Sequence, residues 1–153
     1  MSGSSKEFFG WPHALVNIFD CDNRKLNDLT TVYDFLHNLP PILGMKSIGA
    51  PVVYRITKRD HPDIGISGFQ IIATSHCSFH SFPFGQKDGK RKPRGIERKI
   101  FKSFATIDVY SCSDFNFDDL ITYIKKIFKP KLIEKTLIYR LREDADLIEV
   151  EQF

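Results

Sequence analysis

Apolar residues along this chain follow two rhythms, and each rhythm predicts an element. Residues 13–21 (HALVNIFDC) are an apolar run rich in branched side chains, bounded by a turn-like DCDN, and read as a first strand. Residues 25–39 place Leu26, Leu29, Val32 or Tyr33, Leu36 and Leu39 at helical spacing. Asn27 or Asp28 offers a cap for that helix, and Pro40-Pro41 is expected to end it. A second strand is read over 47–57, with the polar turn KRDHPD after it. A third strand is read over 65–74 and a fourth over 77–82, nearly continuous with it. Residues 104–112 alternate as a fifth strand, 113–128 carry Leu120, Ile121, Ile124 and Phe128 on one side of a helix, and 131–142 alternate as a last strand. The acidic 143–153 is expected to be a loosely held tail. The order β-α-β-β-β-β-α-β predicts a single α+β domain over 1–153. It is a two-layer αβ sandwich, a largely antiparallel sheet with two helices on one face. The uncovered face of such a sheet implies a partner subunit.

Composition narrows the class. The 14 phenylalanines favour a sheet-rich core of large side chains. No apolar run approaches the roughly 20 residues needed to span a bilayer. The opening MSGSSKEFFGWPHA lacks the basic-then-apolar order of a secretory signal, so cytoplasm is expected and a membrane is not. Cys21, Cys77 and Cys112 are odd in number and widely spaced, which is no disulfide framework. No Cys-x-x-Cys or His-x-x-x-His pattern points to a metal.

Charge is concentrated in one segment. Residues 87–102 hold eight Lys/Arg against Asp88 and Glu97, a local +6, so with an overall +3 the rest of the chain carries about −3. The protein therefore reads as a mildly acidic domain with one basic loop, 86–102. That loop is either a solvated surface insertion or a lid that brings Arg or Lys to a substrate anion or acidic partner. It lacks the interleaved aromatics of nucleic-acid surfaces, so a nucleic-acid partner is not expected.

Reactive side chains are densest in residues 71–84 (IIATSHCSFHSFPF). A serine needs an activating base or strain to act as a nucleophile, and His76 and His80 are near in sequence. No acidic residue stands nearby to orient an imidazole, and there is no Gly-x-Ser-x-Gly elbow, so a hydrolytic triad is weakly supported. Strand alternation sends His76, Cys77 and His80 to both faces, which disfavours a metal site. Taken alone, the stretch is either a half-buried strand with satisfied histidines or a reactive site.

Three segments decide between these. GISGFQIIATSHCSFHSFP (65–83), FATIDVYSCSD (104–114) and ITYIKKIFKPKLIE (121–134) resemble, in the same order, motifs of the prokaryotic S-adenosylmethionine decarboxylase proenzyme family. That family shows Gly-Val-Ser-Gly, Glu-Ser-His, His-Thr-Trp-Pro-Glu, Asp-Val/Ile-Phe-Thr-Cys and a helix ending in Lys-Pro-Lys. GWPHALVNIFDCD (10–22) also resembles its opening strand, so the likeness runs from about residue 10 to 142. The resemblance implies a zymogen that cuts itself between Thr74 and Ser75 into chains 1–74 and 75–153. The new terminus at Ser75 becomes a pyruvoyl group, whose carbonyl forms a Schiff base with the substrate amine and serves as electron sink for decarboxylation. Self-processing of this kind is expected to need a rigidly held, strained peptide.

By the same resemblance, His80 assists processing, Ser67 supports it by hydrogen bonding, and Cys112 returns a proton after decarboxylation. Phe82 keeps the aromatic face that stacks on adenine. Cys21 and Cys77 are expected only to pack. The implied activity is a lyase, S-adenosylmethionine decarboxylase, making the aminopropyl donor for spermidine, with a homodimer and a pocket at or near its interface. Two positions depart from the pattern. Thr74 replaces the family's Glu, and Phe84 replaces the Glu that binds the ribose hydroxyls, a charge-assisted contact worth about 1.5–3 kcal/mol. These departures keep two alternatives open: a pyruvoyl-dependent decarboxylase of a basic amino acid such as arginine or ornithine, and an unprocessed, non-catalytic homologue.

Overall fold

The computed structural model of the chain describes residues 10–85, 102–142, 144 and 146. The basic loop, apart from Lys102, and most of the acidic tail lie outside the described residues. Strands β1 (Trp11–Phe19), β2 (Val52–Ile56), β3 (Gly65–Ile72), β4 (Ser75–Phe82), β5 (Phe104–Tyr110) and β6 (Leu132–Arg140) form one sheet in the order β2-β3-β4-β5-β1-β6. Every neighbouring pair is antiparallel. The one-turn helix α1 (Asn23–Leu26) precedes α2 (Leu29–Ile42), and α3 (Phe117–Phe128) joins β5 to β6. The expected α+β two-layer sandwich is the fold adopted.

Alternation decides what each strand offers the helices. Ala14, Val16 and Ile18 of β1, Cys77 and Phe79 of β4, and Ala105, Ile107 and Val109 of β5 all face the buried side. They meet Val32, Phe35, Leu36 and Leu39 of α2 and Leu120, Ile124 and Phe128 of α3. At the centre, Phe128 sits edge-on to Phe35 at 5.0 Å and stacks on Phe79 at 5.2 Å, the tilted and offset geometries that aromatic quadrupoles favour.

Boundaries differ from the sequence expectation in four places. Two aspartates, not one, set helix starts: Asp22 accepts from the Arg24 N–H and Asp28 from the Thr31 N–H, so 23–42 splits into α1 and α2. Pro40 and Pro41 sit inside the last turn of α2, where their carbonyls receive the Leu43, Gly44 and Met45 N–H groups. Gly49, with φ +71, and Pro51 interrupt the second strand, leaving Ser47 as an isolated bridge to Ile72. Finally, β3 and β4 are not continuous. Ile72 pairs with Ser75, and Ala73–Thr74 form a two-residue hairpin turn. Helix α3 begins at an Asn116 cap that accepts from the Asp118 and Asp119 N–H groups at 2.9 and 3.1 Å. Asn116→Ala is expected to cost about 1 kcal/mol and to lower Tm by roughly 2–4 °C in a thermal melt.

The opposite face carries no helix. Its cross-strand rows run Ile71–His76–Tyr110–His13–Ile138, then Tyr54–Ser67–His80–Thr106–Asn17–Glu134, and at the far end Phe82–Phe104–Phe19–Leu132. Val52, Tyr54, Phe69, Ile71, Leu132 and Ile138 on this face are exposed. Large apolar groups thus stand exposed on both sides of a polar row on this face.

Candidate active site

The hairpin turn brings three predicted residues together. Ser75 opens β4 and is buried, while β5 runs beside β4 and ends at Tyr110, opposite His76. The chain leaving β5 therefore passes the start of β4. There Ser111 makes a tight turn, its Oγ donating to the Ser113 carbonyl at 2.6 Å and accepting from the Ser113 N–H at 3.1 Å. Cys112, at the apex, donates its N–H to Ser75 Oγ at 2.9 Å. Its Sγ lies 2.6 Å from Thr74 Oγ1. The scissile peptide of the sequence reading is thus flanked by the cysteine of the sequence reading. Thr74 and Ser75 have no positive φ, so no left-handed strain marks this peptide, and hydrogen bonds hold it instead.

Electrostatics separates the three cysteines. The Thr74 hydroxyl, then the Ser75 hydroxyl, hydrogen-bond to Cys112 and lower its pKa, because donors favour the thiolate. Burial pushes the Cys21 and Cys77 thiols up to about 12. Cys77 is buried on the helix side, consistent with packing as its role.

Ser67 and His80 form a second centre. They are cross-strand partners on the uncovered face, and His80 Nδ1 lies 2.8 Å from Ser67 Oγ. Both line a cavity of about 190 Å³ with Ile56, His61, Asp63 and Phe82. Gly65 belongs to its wall; a Cβ there would run into the Ser81 carbonyl oxygen, so the strands close up only around glycine. Phe82 stacks on Phe104 at 4.4 Å and 11°, which covers one face of its ring.

The two centres are not adjacent within one chain. His80 is five residues from Ser75 along β4, roughly 17 Å at about 3.3 Å per residue. It also points to the opposite face of the sheet, since Ser75 is on the buried side and His80 is exposed. A histidine side chain does not bridge that gap.

Sequence reading missed one contact and one stretch of cavity wall. Thr74 was read only as the residue before the cut, standing where the family has Glu, yet its hydroxyl touches the Cys112 sulfur. The turn 58–63 was read only as polar, although His61 and Asp63 line the cavity and the Asp63 N–H donates to His61 Nδ1 at 3.1 Å. Among the described residues, no group of three or more His, Cys, Asp or Glu side chains is placed to hold a metal ion. No helix among them is long and apolar enough to cross a membrane.

A solved structure shares this architecture: the adenosylmethionine decarboxylase from Aquifex aeolicus superposes with a TM-score of 0.63 over 91% of this chain and 98% of that one, at 19% identity. At that identity the likeness establishes the α+β fold. The sequence profile of S-adenosylmethionine decarboxylase matches residues 12–141. The chain belongs to the S-adenosylmethionine decarboxylase family, whose members named below are carboxy-lyases. The Bacillus velezensis S-adenosylmethionine decarboxylase proenzyme is 31% identical over 73% of this chain and 71% of its own. The Caldanaerobacter subterraneus proenzyme is 25% identical over 84% and 86%. The Prochlorococcus marinus proenzyme is 28% identical over 67% of this chain, a match spanning 63% of that relative's length.

Proposed function

We propose that this protein is a self-processing decarboxylase of S-adenosylmethionine, cut between Thr74 and Ser75, that supplies the aminopropyl donor for spermidine synthesis in the cytoplasm. The observation that carries the reading is the convergence of Thr74, Ser75 and Cys112 on one turn, with Ser75 Oγ held at 2.9 Å by the Cys112 N–H. A serine in that position attacks the Thr74 carbonyl carbon; the Thr74–Ser75 C–N bond breaks and an ester to Ser75 Oγ forms. A base then takes the Ser75 Cα proton, the ester C–O bond breaks, and Thr74 leaves as a carboxylate. Loss of ammonia from the resulting dehydroalanine, with uptake of water, gives the pyruvoyl terminus.

The residues at this position fit such a group. Ser75 supplies its atoms, and the Cys112 N–H that now donates to Ser75 Oγ is a ready donor to an oxygen there. Once formed, the group supplies an electron sink for decarboxylation. Cys112 Sγ holds the proton that the product needs, beside position 75 and with a pKa below that of an ordinary thiol.

Processing also needs His80 and Ser67, which do not reach Ser75 in their own chain. We therefore read the active protein as a homodimer in which the uncovered faces meet, with the His80–Ser67 pair of one copy approaching the Thr74–Ser75 peptide of the other from its exposed Thr74 side. The exposed apolar residues of that face support this arrangement. So does the cavity, which at about 190 Å³ is smaller than the roughly 300–1,000 Å³ that encloses a whole small-molecule ligand.

Intact mass of the denatured, reduced protein tests the processing. Two chains of residues 1–74 and 75–153, the second pyruvoyl-blocked, are expected, and Ser75→Ala should leave one chain of 153 residues. A wild-type chain that stays whole would replace this reading with that of a non-catalytic homologue. Phe84, exposed where the family carries its ribose-binding Glu, favours a basic amino acid as the second substrate reading. Release of carbon dioxide from arginine or ornithine, and not from S-adenosylmethionine, would establish it.

A further inference from the structure

Cross-strand rows on the uncovered face fix how two copies can meet on it. His80 stands in the row that ends at Asn17 and Glu134. Thr74 lies six residues earlier on the line of β4, one row beyond His76. Level with Thr74 is the row in which Trp11 pairs with Arg140. A twofold axis lying between two such faces acts, in projection, as a reflection across itself. An axis that exchanges His80 with Thr74 of the second copy is therefore the perpendicular bisector of the line between them. That bisector crosses the strands at the level of Cys77. It lays β4 on β4 and β6 on β6, each pair running in opposite directions.

The same axis exchanges the two rows where they cross β6, and so sets Arg140 of each copy against Glu134 of the other. We propose that Arg140 and Glu134 form a reciprocal pair of salt bridges between copies, fixing the register in which His80 meets Thr74. The inference rests on the homodimer read above. Both side chains are exposed. Among the described residues Arg140 pairs with no carboxylate; its guanidinium lies 4.3 Å over the Tyr110 ring and 3.5 Å from His13 Nδ1. Glu134 accepts there only from the Asn17 amide, at 3.3 Å. Six residues of strand, roughly 20 Å at about 3.3 Å per residue, keep the two from meeting inside one chain. Packed sheets lie about 10 Å apart, a gap that an arginine and a glutamate span together. Asp108 is the other acid among the strand residues of this face. The axis passes between its row and that of Tyr110, which turns Asp108 to Tyr110 of the second copy and not to Arg140.

The test is sedimentation equilibrium of the full-length chain, every sample carrying Ser75→Ala so that no cleavage alters the molecule. The parent chain is expected to dimerise. Arg140→Glu and Glu134→Arg should each raise its dissociation constant at least about tenfold, since like charges then face each other at both contacts. An equal mixture of the two variants should regain the parent affinity to within about threefold, because an isologous contact between these two chains pairs opposite charges at both places. Mixing does not rescue a chain that has merely misfolded. Unchanged dissociation constants in the single variants would overturn the salt bridges and leave the dimer standing, as would weakened variants that stay monomeric when mixed. A parent chain that sediments as a monomer throughout would overturn the dimer as well.

Discussion

Chains carrying His80→Ala are expected to be cut between Thr74 and Ser75 when co-expressed with Ser75→Ala chains, although neither variant is cut alone. Ser75→Ala lacks the nucleophile, and its failure is complete. His80→Ala retains the nucleophile but lacks the group that assists the elimination, a contribution of about 10²–10⁴ in rate for a positioned acid or base. In a mixed dimer, the intact Ser75 of the His80→Ala chain meets the intact His80 of the Ser75→Ala chain. The second site of that dimer holds both substitutions and stays silent. At equal expression and random pairing, about half of the His80→Ala chains should be cleaved, because an isologous dimer distributes each residue to both sites. The prediction follows from geometry: five strand residues and a change of face separate Ser75 from His80. Mass spectrometry of the co-purified pair reads it directly. Mixed dimers that remain uncut would place the two residues' cooperation within one chain, or deny it. Cleavage of His80→Ala by itself at the wild-type rate would remove His80 from processing altogether.

That geometry was not legible in the sequence, and the reason is physical. All six strands were legible, the first as an apolar, branched run and the last two by alternation of period two, because a half-buried strand turns every second residue to the core. The same alternation foretold that His76 and His80 would part from Cys77, as they do. The hairpin between β3 and β4 escaped because Ala73-Thr74 carries none of the Gly, Asn or Asp that mark tight two-residue turns. Missing that turn concealed the neighbourhood of Ser75, since the approach of Cys112 depends on where β4 begins. Motif order supplied Ser67, Ser75, His80 and Cys112 as names. Their division into two centres needed strand pairing, a long-range property that local pattern does not encode. Asp63 fell outside the motifs and Thr74 stood in one only as a departure, so what makes them notable is a cavity in one case and a contact in the other.

Cys112 is expected to be alkylated by iodoacetamide far ahead of Cys21 and Cys77. The reactive species is the thiolate, and thiols pushed up to about 12 by burial hold roughly three-thousandfold less of it at neutral pH than an ordinary thiol of about 8.5. Cys112 lies below its ordinary value, so the gap is wider still. Ser75→Ala is the background for the measurement, because it keeps the chain whole and removes the Ser75 hydroxyl. The principal cause, the Thr74 hydroxyl, then acts without that of Ser75. Replacing it in Ser75→Ala/Thr74→Val removes the donor that favours the charged sulfur, so the Cys112 pKa must rise. The midpoint of the alkylation rate against pH should therefore move to higher pH in the double variant, with less alkylation at pH 7. Peptide mapping of the labelled cysteine assigns the site. An unmoved midpoint would mean that Thr74 does not tune the thiol. Labelling of Cys77 before Cys112 would contradict the burial of the first and the hydrogen bonding of the second. The sign also matters for catalysis: a thiol held below its usual range gives up its proton more readily. Activity should decline as pH rises through the Cys112 pKa, because the thiolate form has no proton to return.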